Sequence, residues 1–99
     1  MNFDEKCYNI LKKVPKGKVT TYKFIASKLH SKGYRAVGNA MNKNRNLKEV
    51  KCHRVVSSDG KVGGYAFGSK KKVELLKKEG IKVVNGKIDL KKYGFFGRI

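Results

Sequence analysis

The spacing of apolar residues over the first 43 positions constrains this chain most, because it repeats at helical intervals and breaks at Pro15-Lys16-Gly17-Lys18 and at Ser31-Lys32-Gly33. Phe3, Cys7, Ile10, Leu11 and Val14 share one stripe with lysines between them, which predicts an amphipathic helix over 3–13 stopped by Pro15 and Gly17. Tyr22, Ile25, Ala26 and Leu29 predict a second helix, with Thr20 or Thr21 able to cap it. Tyr34, Val37, Ala40 and Met41 predict a third over 34–43, with Arg35, Asn39 and Asn42 on its exposed face. Two short helices joined across a glycine-containing turn form a helix-turn-helix pattern, one that many small helical domains share.

After residue 44 the periodicity lapses. Asn44, Arg45, Asn46, Lys48 and Glu49 read as a polar loop, Val50 and Val55-Val56 as strand-like pieces, Ser57-Ser58-Asp59-Gly60 as a turn and Gly63 to Gly68 as a flexible loop. Val73, Leu75 and Leu76 predict a last helix over 69–79, with Gly80 at its C′ position. Ile81, Val83, Ile88 and Leu90 alternate around Asn85-Gly86, which predicts a small β-hairpin before an aromatic tail of Tyr93, Phe95 and Phe96. The expected fold class is α+β, mainly helical, in a single domain over 1–99.

Lysine and arginine number 25 against 7 acidic residues, a formal charge of +18. That exceeds what solubility asks of so small a domain and points to a polyanionic partner, although a lysine-rich host composition would contribute. The basic residues are interspersed with the apolar ones, so the globular body itself is expected to face the anion. No apolar run is long enough to span a membrane and no signal-peptide pattern is seen, so the expected location is cytoplasmic. Cys7 and Cys52 are expected to be free thiols outside any metal-binding spacing, with Cys7 a small core residue on the first helix.

The segment Lys51-Cys52-His53-Arg54-Val55-Val56 carries the chemistry, because it places a thiol beside a proton acceptor and cations. Those neighbours favour a thiolate nucleophile, although a Cys-His pair alone fits an inert packed cysteine equally well. Arg54 is read as a salt-bridge or capping residue, Glu79 otherwise as a surface carboxylate at a helix C-terminus, and His30 as a surface residue.

Pro15-Lys16-Gly17-Lys18-Val19-Thr20-Thr21-Tyr22, Arg35-Ala36-Val37-Gly38-Asn39-Ala40-Met41, Asn44, Cys52-His53-Arg54-Val55-Val56, Val62-Gly63-Gly64-Tyr65 and Glu79-Gly80 occur in this order over nearly the whole chain. In this the sequence resembles the active-site domain of the O6-alkylguanine-DNA alkyltransferases, the methylated-DNA–protein-cysteine methyltransferases. The resemblance implies a winged-helix-like domain that acts as a monomer in the minor groove of double-stranded DNA and flips out O6-alkylguanine. It implies alkyl transfer to Cys52, once per molecule and without cofactor or metal. His53 would activate the thiol through a water and be oriented by Glu79, Tyr22 would protonate guanine N3, and Asn44 would hold the Cys52 loop. Arg35 would fill the gap left by the base, Ala36 and Gly38 would permit close approach to the DNA backbone, Tyr65 and the backbone of Ala66 would line the base pocket, and backbone groups near Cys52 and Val55 would read the base edge.

The sequence departs from that family at several positions. Lys51 stands where a proline usually precedes the cysteine, which removes a fixed φ and adds a charge that would favour the thiolate. Arg45 and Lys48 replace other prolines, and Phe67 replaces a small residue and is expected to narrow the pocket against bulky adducts. The chain begins almost at this domain, as do the alkyltransferase-like proteins, which bind alkylated DNA without repairing it. Those proteins replace the cysteine, and here Cys52 is retained. A helix-turn-helix regulator would explain the charge and the helices, but it would leave the Cys52 segment without a purpose.

Overall fold

The computed structural model describes residues 2–30, 33–46, 49–65 and 67–96. Helix α1 (Phe3–Leu11) begins where Asn2 Oδ1 accepts from the Glu5 N–H at 2.8 Å, and Asp4 and Glu5 lie in its dipole-favoured first turn. It buries Cys7, Ile10 and Leu11. The helix stops before residue 13 because Lys13 and Val14 bond three residues back, to Ile10 and Leu11, tightening the chain into Pro15.

Strand β1 (Thr20–Thr21) pairs in parallel with β2 (Val55–Val56), Thr20 opposite Val55 and Thr21 opposite Val56. Thr21, not Thr20, caps α2 (Tyr22–Lys28), its Oγ1 accepting from the Phe24 N–H at 3.0 Å. Thr20 is fully buried on the strand, and its hydroxyl has no hydrogen-bond partner among the described residues. α3 (Tyr34–Lys43) turns Val37, Ala40 and Met41 into the core and leaves Arg35, Asn39 and Asn42 outside. Tyr34 departs from the expected stripe and is 61% exposed, because at the first helical residue it leans over the cleft beside Tyr22.

The two valines of β2 point to opposite faces, as the period of a strand requires. Val55 joins a cluster of Cys7, Leu11, Ile25, Val37 and Met41, while Val56 joins Val19, Val62, Leu76, Ile81 and Ile88. The small sheet therefore links the three N-terminal helices to the C-terminal half. α4 (Ser69–Lys78) ends in a Schellman arrangement: Gly80, with φ at +88°, donates to the Lys77 carbonyl, and Ile81 donates to that of Leu76.

The expected hairpin is reduced to its turn. Asn85 and Gly86 both have positive φ, and Val84 and Lys87 exchange hydrogen bonds across them. The ladder goes no further, because the segment turns to pair with residues 60–62 instead: Val62 donates to Gly86 and Ile88 to Gly60. Leu90 does not extend a strand. Asp89 accepts from the Lys91 N–H and starts α5 (Leu90–Tyr93), so α4 is not the last helix. Val19 joins this end, donating to Tyr93 and accepting from Phe95. The result is an α+β fold, mainly helical.

Candidate active site and nucleic-acid interface

Cys52 opens a single 3-10 turn (Cys52–Arg54) directly before β2. Lys51 has φ −86° and ψ 70°, and the Cys52 N–H donates to the Val50 carbonyl, an inverse γ-turn close to the φ a proline would impose. The turn is fastened from α3 by Asn44, which is buried at the helix end. Its Nδ2 donates to the Val50 carbonyl at 2.8 Å and its Oδ1 accepts from the Asn46 N–H. The thiol is 3% exposed, and burial raises its pKa; hydrogen bonds from Asn44 and Tyr65 and the charge of Lys72 act the other way without overcoming burial. Neither Lys51 nor Arg54 supplies the cation expected to favour the thiolate. Lys72 does, from α4.

The His53 Nε2–H donates to Glu79 Oε2 at 2.5 Å, joining the 3-10 turn to the end of α4. Arg54 donates from Nε to both Glu79 oxygens, at 3.0 and 3.1 Å, and from an Nη to the Val14 carbonyl. The Gly17 N–H, in the turn after Pro15, donates to Glu79 Oε1 at 3.1 Å. Burial alone would raise the Glu79 pKa; Arg54, His53 and Gly17 outweigh it and hold the carboxyl below its ordinary range. His53 titrates below its ordinary value because burial outweighs the pull of that carboxylate. It is therefore neutral, with Nε2 protonated toward Glu79 and Nδ1 the basic nitrogen. Arg54 is the salt-bridge residue the sequence suggests, and Glu79 is far from an idle surface group.

Tyr22 stands at the first position of α2, its pKa pushed up to about 12 by burial and by the neighbouring Cys52. Its ring lines a cleft of about 290 Å³ with Tyr34, Arg35, Gly38, Asn42, Ser57, Gly63 and Gly64. This brings together three of the expected substrate residues, Tyr22, Arg35 and Gly38, with the Gly63-Gly64 loop. Tyr65 reaches Cys52 from that loop, while Ala36 is exposed one residue beyond Arg35. The Val55 side chain is buried in the core; its N–H caps the 3-10 turn at the Cys52 carbonyl. Ala66 lies outside the described residues.

A second cavity, of about 470 Å³, is lined by Lys51, His53, Tyr65, Phe67, Lys71 and Leu75. Phe67 is 58% exposed and edge-on to Tyr65, so it forms a wall of this open cavity. The sequence reading missed Lys72, which is completely buried. The signal was present, because Lys72 lies four residues before Leu76 on the inward face of α4, but the surrounding lysines hide it.

Residues 2–81 match the family model described as 6-O-methylguanine DNA methyltransferase, DNA binding domain, and the chain belongs to this family. It is 40% identical over 89 residues to a bifunctional methyltransferase/endonuclease of Picrophilus torridus, spanning 89% of this chain and 30% of that protein. It is 49% identical over 71 residues to a methylated-DNA–protein-cysteine methyltransferase of Saccharolobus solfataricus, spanning 72% of this chain and 46% of that protein. The chain thus spans less than half the length of these curated relatives. Among solved structures, S. pombe Atl1 in complex with damaged DNA containing O6-carboxymethylguanine is similar with a TM-score of 0.83 and 28% identity, covering 96% of this chain and 98% of that one. The O6-methylguanine-DNA methyltransferase of Pyrococcus kodakaraensis is similar with a TM-score of 0.73 and 43% identity, covering 82% of this chain and 47% of that one.

Proposed function

We propose that this domain repairs DNA by transferring an alkyl group from guanine O6 to Cys52, so that a domain named for DNA binding also carries the acceptor. The observation that carries the reading is the constellation around Cys52: a buried thiol fastened by Asn44, beside a neutral histidine oriented by an ionised Glu79, with Tyr22 on the cleft side. His53 Nδ1, the ring nitrogen that Glu79 does not engage, takes the thiol proton through a water. The thiolate forms a bond to the alkyl carbon as the carbon–O6 bond breaks, and the bonding pair leaves with the base. Tyr22 then donates its hydroxyl proton to guanine N3, so the negative charge does not build up on the departing base. Each chain acts once, as a monomer, with no cofactor.

Arg35, exposed on α3 at the mouth of the cleft, would occupy the place of the flipped base, with α3 laid in the minor groove and Ala36 and Gly38 against the sugar-phosphate backbone. Tyr65 would line the base pocket, and backbone groups near Cys52 and Val55 would read the base edge. A titration of the protein against duplex bearing a radiolabelled O6-methyl group tests this reading. Label should accumulate on protein to a plateau of one group per chain; a plateau near zero contradicts it.

A second reading is a sensor of alkylated DNA that binds without transferring, favoured by the match to nearly the full length of Atl1. It predicts tight, lesion-selective binding after which the O6-methylguanine is recovered intact from the DNA.

A further inference from the structure

Tyr34 departs from the apolar stripe of α3, and the function proposed above leaves it without a role. It is the first residue of that helix and is 61% exposed. A large aromatic ring left in solvent forgoes most of what its burial would contribute, and among the described residues this one gains no ring or cation partner in exchange. Tyr34 is instead a wall of two cavities. One is the cleft of about 290 Å³ that it shares with Tyr22, Arg35, Gly38 and the Gly63-Gly64 loop. The other, of about 510 Å³, is lined by Tyr22, Lys23, Tyr34, Ser57, Ser58 and Asp59.

Successive residues of a helix point about 100° apart, so Tyr34 and Arg35 cannot serve the same space. With Arg35 in the place the base has left, Tyr34 is free to meet the base in the cleft. Resting on the extrusion of the damaged base in the reading above, we infer that Tyr34 is a stacking latch: once the guanine has swung through the mouth of the cleft, the ring packs on the extruded nucleotide and slows its return to the duplex. Tyrosine suits the task. It is rigid, with two rotatable bonds, so ordering it costs little, and an aromatic face accepts any base. The adjoining cavity gives the ring room to turn aside while the base passes. The need for a latch follows from Cys52, whose thiol burial pushes up: with thiolate scarce, the base must stay extruded until one forms. A protein that only holds the lesion would profit from the same latch.

The test is the extrusion equilibrium, read from a fluorescent cytosine analogue placed opposite O6-methylguanine in a duplex, which brightens when its partner leaves the stack. Cys52→Ala is the background, so that transfer does not drain the extruded state, and Tyr34→Ala, Tyr34→Leu and Tyr34→Phe are each added to it. Tyr34→Ala should lower both the extrusion constant and the affinity for the lesion duplex about tenfold, the scale of one base–aromatic stack. Tyr34→Phe should stay within about twofold of tyrosine, and Tyr34→Leu, apolar but without an aromatic face, should behave like alanine. Affinity for undamaged duplex, which phosphate contacts set, should be the same in all of them. Because Tyr34 is exposed, its replacement should also leave the melting temperature unchanged. Extrusion by Tyr34→Ala within about twofold of the background overturns the inference, as does full recovery by Tyr34→Leu or an equal loss of affinity on undamaged duplex. Methyl transfer by the chain with Cys52 intact is measured alongside. Extrusion that depends on Tyr34, with no transfer, supports the latch and refutes the transfer reading; transfer with extrusion indifferent to Tyr34 does the reverse.

Discussion

Glu79 holds three donor residues from two parts of the chain: His53 and Arg54 in the 3-10 turn, and the Gly17 N–H. Replacing it with glutamine keeps the shape but leaves the Arg54 cation without its anion, and an amide cannot satisfy all three donors. Glu79→Gln should cost about 3 kcal/mol of stability, the scale for breaking a buried pair, as read by urea denaturation. It should also slow transfer by a factor on the order of a hundred. The pH dependence follows from the two lowered pKa values. The fold prefers neutral His53 and ionised Glu79, so the unfolded chain binds protons first as the pH drops. Both contributions are complete above about pH 6.5 and are lost as the pH falls through the ordinary histidine and then the carboxylate range. Stability of wild type should therefore decline in acid, and less steeply in Glu79→Gln. The roles of Cys52, His53 and Glu79 were suggested by family motifs, and their juxtaposition required the fold. Gly17 and Glu79 stand 62 positions apart in the chain, a separation that local patterns do not report.

At the scale of elements, the three N-terminal helices were legible because each sets a stripe against a break, and Thr21, one of the two threonines the sequence offers, does cap α2. The hairpin was misread because alternation cannot reveal that residues 86–88 have a better partner in 60–62. Gly60 is the pivot of that pairing: its φ is +89°, and a Cβ there would meet the Ile88 carbonyl oxygen at 2.6 Å. Gly60→Ala should destabilise by roughly 2 kcal/mol or more, with amide exchange accelerated first at Val62 and Ile88. Lys51 tests the opposite case. Its φ of −86° is near the value a proline fixes, so Lys51→Pro should be accommodated and raise stability by about 0.5 kcal/mol through the unfolded chain, checked by thermal melting. A clear fall in melting temperature would show that a proline ring does not fit against Val50, the residue before it.

At the scale of the molecule, a formal charge of +18 would make the proposed binding to duplex DNA an electrostatic event as much as a recognition event. Affinity should fall by on the order of a hundredfold or more between about 50 and 200 mM salt, for damaged and undamaged duplex alike, because phosphate contacts release counterions. Composition pointed to a polyanion but was silent on the face that would meet it; the proposed face is the cleft lined by Tyr22, Arg35 and Gly38, which only the fold brings together. The central claim is that Cys52 is the acceptor. Intact-mass measurement after incubation with O6-methylguanine duplex tests it directly, with Cys52→Ala beside the wild type. Wild type alone should gain about 14 Da, one methyl group on one thiol. An unchanged mass on a protein that nonetheless holds the lesion tightly would contradict it.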